Sequence, residues 1–286
     1  MSDKNTIFHQ KKTINAAGKL ITFDKPKVMG ILNITPDSFY SGSRISSEEQ
    51  TLRTTEQMLK DGADFIDIGA YSSRPGAVDI SIAEETQRLL PAVKAVVKEF
   101  PEAVLSIDTF RSEVANAAIN EGAHIINDIS GGTLDQQMFE TVAKLKVPYI
   151  LMHMKGTPQT MKDLNQYDDM MKEVLYYFAL KINELNSLGV KDIIADPGFG
   201  FAKNISQNFE LLSQFELFKL AGIPVLVGLS RKSMIWKTLD IKNEDALNGT
   251  TVLNTVALTK GADILRVHDV KEAVEAVKLV GMCSGN

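Results

Sequence analysis

Cysteine is almost absent from this chain. Cys283 is the one cysteine in 286 residues, which excludes an intramolecular disulfide and fits a reducing compartment. Long apolar runs are missing as well: none reaches the ~18 residues that a membrane-spanning helix needs. The opening MSDKNTIFHQKK carries no hydrophobic core of a signal peptide, so a cytoplasmic protein is expected. Blocks of positive charge are also lacking. Lys and Arg number 31 against 36 Asp and Glu, for a net charge of −5, and nucleic acid is not an expected partner. No low-complexity tract, internal repeat, linker or Gly-x-Gly-x-x-Gly turn interrupts the chain. One domain spanning 1–286 is expected.

What is present is a repeated alternation. Short apolar runs of the buried-strand kind occur at Val28–Leu32, Phe65–Ile68, Val104–Ile107, His124–Asn127, Tyr149–Met152, Asp192–Ala195, Pro224–Val227 and Ile264–Val267;. Helical patterns follow near 48–61, 81–99, 111–121, 135–145, 168–188, 206–220, 231–260 and 270–281, the 231–260 stretch being long enough for two helices. Several lead into a glycine just before the next strand, as at Asp61-Gly62-Ala63 and Lys260-Gly261-Ala262, which suits a tight reversal at a helix C-terminus. Eight such units predict a (β/α)8 TIM barrel, for which ~250 residues is typical. A doubly wound open sheet is the alternative fold. Ahead of the first unit, Thr6–His9 and Leu20–Phe23 read as a β-hairpin turning over Asn15–Gly18, an extension over 1–25 that would plug one end of the barrel;.

In such a barrel the residues after each strand share one mouth. They are Asn33, Thr35, Asp37 and Ser38; Ser72, Ser73, Arg74 and Pro75; Asp108-Thr109; Asn127-Asp128; Met152-His153; Asp196 to Phe201; Gly228 to Ser233; and Arg266 to Asp269. Asp108 and Asp196 end apolar strands, where a charge is costly unless paired or in use. With Asn127 they could grip a flat ring whose edge offers N–H donors. Arg74, Lys232, Arg266 and His268 would face a phosphate or pyrophosphate, and Asn33 with nearby oxygens could help hold Mg2+. The residues alone thus point to an anionic, phosphorylated small molecule with a donor-bearing head group.

Plainer roles compete with these. Asp37, Asp135 and Asp168 suit helix N-caps; His124 suits packing; His153 suits a structural hydrogen bond as well as a binding role; and Met152 and Met154 suit core. Glu84, Glu85, Lys94 and Lys98 are expected on solvated helix faces. The case for a site rests on eight strand ends in register.

These residues lie in motifs that occur in order: MGILNITPDSF, DIGAYSSRPGA, SIDTF, INDISGG, LMHMKGTPQTM, DPGFGFAKN, GLSRKS and RVHDV. The set resembles the dihydropteroate synthase family of pterin-binding enzymes over about Val28 to Val270. The resemblance implies a (β/α)8 homodimer with Mg2+ that joins 6-hydroxymethyl-7,8-dihydropterin pyrophosphate to p-aminobenzoate and is a target of sulfonamide-type inhibitors. It implies a pterin pocket of Asp108, Asn127, Met152, Asp196, Phe201, Gly228, Lys232 and Arg266. It places pyrophosphate at Asn33, Arg74, Arg266 and His268, with Asn33 toward the metal. It places p-aminobenzoate at Phe39, Ser73, Pro75, Lys232 and Ser233. Asp108, Lys232, Arg266 and Asp196 are the implied catalytic set.

The chain departs from the family's pattern at Tyr71, where an acidic residue is common, at Ser73 in place of threonine, and at Ser41 in place of aspartate. These departures bear on acceptor affinity and sulfonamide response. Three rival readings remain at this level: a corrinoid-dependent methyltransferase using methyltetrahydrofolate, a catalytically silent pterin-binding paralogue, and a phosphate-binding aldolase barrel.

Overall fold

The structure, a computed structural model, describes residues 11–34, 44–72 and 78–283, the side chains of 44–47 excepted. The expected strand at Thr6–His9, the cap at Asp37, and Phe39, Ser41, Ser73, Arg74 and Pro75 lie outside the described residues. The hairpin forms from β1 (Thr13–Ala16) and β2 (Lys19–Thr22), with Ala16 opposite Lys19. The expected turn over Asn15–Gly18 is corrected to two residues, and Asn15 pairs within β1. Ala17 and Gly18 both take positive φ, 54° and 69°, which is what a two-residue loop joining right-twisted strands requires.

Eight parallel strands follow: β3 (Lys27–Asn33), β4 (Phe65–Gly69), β5 (Leu105–Asp108), β6 (Ile125–Asp128), β7 (Tyr149–Met152), β8 (Ile193–Asp196), β9 (Leu226–Val227) and β10 (Ile264–Val267). Their order is β8-β7-β6-β5-β4-β3-β10-β9, and a bridge between Ala195 and Val225 joins β8 to β9 and closes the ring. The fold is the expected (β/α)8 barrel. Helices α1 (Arg44–Lys60), α2 (Ile82–Glu99), α3 (Ser112–Asn120), α4 (Met138–Leu145), α5 (Met170–Ser187), α6 (Ile205–Ser213), α7 (Ser233–Trp236), α8 (Leu247–Thr259) and α9 (Val270–Cys283) surround it. The 231–260 stretch is α7 and α8 with a short 3-10 turn at Asn243–Asp245 between them.

Side chains alternate along each strand with period two. Outward residues such as Ile66, Ile68, Leu105, Ile107, Leu151 and Ala195 pack with the helices. Inward residues Met29, Phe65, Val104, Ile125, Ile150, Ile194, Leu226 and Ile264 form an apolar floor, which Ile14, Ala16 and Phe23 of the hairpin segment cover. The hairpin therefore plugs the N-terminal end, as expected. Capping fixes where several helices begin: Ser81 accepts from the Glu84 N–H at 3.1 Å, and Asn204 and Gln207 form a reciprocal capping box on α6;. At α5 the cap is Asp169, which accepts from the Lys172 N–H at 3.0 Å, rather than the expected Asp168. Asp135 caps at a distance in sequence, accepting from the N–H of Ser112, the first residue of α3, at 2.7 Å.

Candidate active site

Above the floor the inward positions turn polar. β5 ends on Asp108, β6 on Asn127-Asp128 and β8 on Asp196, each one residue beyond the apolar run. Arg266, from the middle of β10, reaches across the interior. Its Nε donates to Oδ2 of Asp67 at 2.6 Å and its Nη2 to Oδ2 of Asp108 at 2.6 Å. Asn127 Nδ2 donates to the same Asp67 oxygen at 3.0 Å. The planar guanidinium is thus held at two points between two carboxylates. Asp67 is a residue the motifs did not single out; its signal was the break in apolar character at an inward position of FIDIG.

Burial sets the proton affinities here. Burial lifts Asp108 to about 7 against the pull of Arg266, with Asp67, Glu85 and Asp128 adding to the rise. Arg266 is disfavoured by burial, but Asp67 and Asp108 more than compensate and hold it charged. Burial also raises Asp196, opposed by Lys232, the Gly198 N–H, Arg266 and Lys203. Lys232 falls to about 8 through burial, resisted by Asp196 and furthered by Arg266.

The loop after β8 is locked from below. Asp196 Oδ1 accepts from the Gly198 N–H at 2.8 Å. Gly198 has φ 71°, and a Cβ there would meet the His153 carbonyl oxygen at 2.1 Å, so only glycine allows that approach. Lys203 Nζ reaches the carbonyls of Gly198 and Phe201, both at 3.1 Å, and His153 Nδ1 at 3.1 Å. Burial, then Lys203 and Lys155, drive His153 well below its usual range, and its Nδ1 contact with Lys203 ties it to the loop. Lys232 Nζ donates to the Phe199 carbonyl and lies 4.9 Å from the centre of the Phe201 ring. Met152, Met154, Ile129, Met161 and Ala202, with Phe110 and Phe201 against them, make an apolar wall beside these charges.

Of the expected residues, Asp108, Asn127 and Arg266 share one network through Asp67, while Asp196, Lys232, Phe201 and Met152 gather around the β8 loop. Gly228 is buried below Lys232, its Cβ position 3.8 Å from Nζ. Asn33 ends β3, half-buried. His268 is exposed at the rim with Nδ1 3.0 Å from Ser230 Oγ, and Ser233 is exposed at the start of α7. One expectation is corrected. Glu85 is not on a solvated face: it is wholly buried and bound to Arg111 at 2.8 Å and Thr109 at 2.7 Å. Asp128, though at a strand end, is engaged by Tyr149 at 2.6 Å and by the N–H groups of Ser130 and Gly132, so it shapes the β6 loop. Arg231, also unanticipated, clamps that rim through a two-pronged bond to Asp269 at 2.9 and 2.8 Å. His124 packs as expected, accepting from the Leu105 N–H at 3.1 Å.

Among the described residues no group of three or more His, Cys, Asp or Glu is placed to hold a metal ion. That donor set does not suit a resident all-protein cage. Asn33, half-buried at the end of β3, has a side-chain amide oxygen of the kind that can join ligand phosphates around Mg2+;. A cavity of about 600 Å3 opens at the hairpin end beside Ala16, His124 and Pro148, away from the convergent charges.

The family model described as "Pterin binding enzyme" matches residues 29–268. Dihydropteroate synthase of Escherichia coli (strain K12) is 42% identical over 267 residues, covering 93% of this chain and 94% of the relative. The crystal structure of Yersinia pestis dihydropteroate synthase with a sulfonamide drug superposes with a TM-score of 0.89 at 38% identity, covering 96% of this chain and 100% of that one. Xanthomonas albilineans dihydropteroate synthase with 4-aminobenzoic acid gives a TM-score of 0.89 at 35% identity, covering 96% and 99%.

Proposed function

The chain belongs to the pterin-binding enzyme family, and from that membership we propose that it acts as a dihydropteroate synthase. It condenses 6-hydroxymethyl-7,8-dihydropterin pyrophosphate with p-aminobenzoate to give 7,8-dihydropteroate and pyrophosphate. The observation that carries the reading is the set of inward hydrogen-bond acceptors, Asp108, Asn127 and Asp196, facing the cations Arg266 and Lys232 above a sealed apolar floor. Acceptors of that kind match the N–H edge of a pterin, and the cations match its diphosphate.

In this reading Asp108, Asn127, Asp196 and Lys232 hold the pterin between Met152 and Phe201, over Gly228, with Arg266 against the ring and toward the phosphates. Asn33, Arg74, Arg266 and His268 receive the pyrophosphate. Phe39, Ser73, Pro75, Ser233 and the stem of Lys232 receive p-aminobenzoate. The bond from the exocyclic methylene to oxygen breaks, and the electron pair leaves with pyrophosphate. Arg266 and the other cations stabilise that developing anion. Asp108, ionised, offsets the cation delocalised into the ring, and Asp196 orients it. The arylamine nitrogen then attacks and releases its proton. Mg2+, near Asn33, would add Lewis-acid neutralisation of the diphosphate. Asp108 serves when ionised, above about 7, and Lys232 when charged, below about 8, so kcat/KM is greatest between those limits.

We further place the enzyme in the cytoplasm as a homodimer that binds sulfonamide-type inhibitors. Among the described residues no helix is long and apolar enough to cross a membrane. The exposed apolar residues Leu239 and Val252, on and beside α8, suit burial against a second copy;.

The test supplies purified protein with Mg2+ and dihydropterin pyrophosphate, with and without p-aminobenzoate, and follows pteroate by mass. Pyrophosphate release that depends on p-aminobenzoate, with dihydropteroate formed by the wild type and lost in Asp108→Asn, is the expected result. Tight pterin binding without pteroate would overturn the reading in favour of a methyltransferase or a silent binder.

A further inference from the structure

The chemistry above gives no reacting atom to Asp67, yet this carboxylate is wholly buried inside the barrel. It faces inward on β4 between Phe65 of the floor and Gly69 at the mouth, with Ile31 and Ser106 as its register partners. Apolar side chains fill such interior positions elsewhere in the ring, Ile125 beside Ser106 among them. A buried ionic group contributes little to stability compared with a well-packed apolar one. Its Oδ1 and the Ser106 Oγ have no hydrogen-bond partner among the described residues, so the position is not optimised for the fold alone.

What Asp67 does is hold two other groups with one oxygen. Oδ2 accepts from Arg266 Nε at 2.6 Å and from Asn127 Nδ2 at 3.0 Å. A carboxylate only accepts, so it draws the amide nitrogen of Asn127 toward itself and leaves Oδ1 as the amide atom turned away from it;. It also pins the guanidinium at Nε while Asp108 pins Nη2 at 2.6 Å, which fixes the plane of a side chain that cannot be mimicked by a point charge.

We infer that Asp67 is a positioning residue of the reaction, setting the plane of Arg266 and the amide orientation of Asn127 from beneath the ligand. The inference rests on the proposed synthase reading. It requires that Asp67 act through those two residues and through the field on Asp108. The charged groups acting on Asp108 are Arg266 of β10, Asp67 of β4, Glu85 of α2 and Asp128 of β6, with Lys232 of the β9 loop also within its field.

The test is steady-state kinetics of Asp67→Asn in the p-aminobenzoate-dependent assay. A misaligned guanidinium should lower kcat about 100-fold with the KM for p-aminobenzoate unchanged. Removing the Asp67 charge should also move the acid limb of kcat/KM to lower pH, because that charge raises Asp108. A variant that melts earlier but keeps the wild-type kcat and acid limb overturns the inference and leaves a purely structural role. A second measurement is read on the wild type, with Arg266→Lys used only to assign the signal: in protein labelled with 15N-arginine, the Arg266 Nε–H should exchange far more slowly than that of a surface arginine. Exchange at the surface rate overturns the inference. Wild-type protein that releases no pyrophosphate defeats the synthase reading itself, and this role with it; wild-type turnover with an unaltered Asp67→Asn defeats only this role.

Discussion

Two residues apart on one strand, the barrel interior changes its chemistry. Phe65 is buried among Met29, Ile264, Leu226 and the hairpin residue Ile14, whereas Asp67 is equally buried but bound to Arg266 and Asn127. The strands and their pleat are shared, so the difference lies in what each level is for. The floor is closed by the hairpin and gains from every apolar atom removed from water. The upper level holds charges that persist only as a matched set, because a buried charge without a partner is costly. The lower half of the barrel thus offsets the cost of a reactive upper half.

The comparison breaks most visibly at Arg266. Arg266→Met leaves Asp67 and Asp108 facing each other without their cation, and should destabilise the protein by about 3–5 kcal/mol while abolishing pteroate formation. The sign with pH is definite. Asp108 already has a folded-state affinity raised from 3.8 to about 7, and loss of Arg266 raises it further. The stability associated with the protonated form is present below the unfolded value and lost as pH rises through the folded one. Urea unfolding at pH 5 and pH 8 should therefore show the larger deficit at pH 8. Equal deficits would mean that lost packing, not lost charge, dominates.

At the floor the expected pattern is inverted. Phe65→Ala should lower stability by about 3–5 kcal/mol with kcat per folded molecule unchanged, since Asp67 keeps its partners. Denaturant titration together with active-site counting checks both halves. A fall in kcat matching that of an upper-level variant would show that the two levels are not separable.

Much of this division was legible in the sequence because it follows the period of the strand. The eight apolar runs gave the barrel, and their polar sequels gave Asp108, Asn127 and Asp196 as ring-gripping groups and Lys232 and Arg266 as cations, all at the C-terminal ends of the strands. Less legible were residues whose role depends on partners remote in the chain. Asp67 meets Arg266 across 199 positions, and Glu85 meets Arg111 across 26; a helix surface pattern cannot tell a solvated glutamate from one facing a neighbouring loop. The length of the hairpin turn is less legible, because Asn15-Ala16-Ala17-Gly18 carries a stronger turn signal than the two residues that make the turn;. Capping at Asp169 instead of Asp168 was a choice between adjacent identical side chains that only backbone geometry decides.

The smallest expected effect lies at the rim. The Tyr71 ring packs edge-on against Phe110 with centroids 5.0 Å apart. Its hydroxyl accepts from Gln159 Nε2 at 3.1 Å, and the Arg111 guanidinium lies 5.3 Å from its ring centre. Burial raises its proton affinity, so the phenol stays neutral across the working range and the ring supplies packing rather than charge. Tyr71→Phe keeps the ring contacts and removes the hydroxyl's interactions with Gln159 and Asp79. It should cost about 0.5–1.5 kcal/mol and change the KM for p-aminobenzoate less than twofold. Tyr71→Glu should do more, because a carboxylate there loses the Phe110 contact and, once ionised, meets Asp79, whose charge already raises Tyr71. If Tyr71→Phe alone shifts the p-aminobenzoate KM or sulfonamide inhibition severalfold, the rim hydroxyl belongs with the functional upper level rather than with the packing around it.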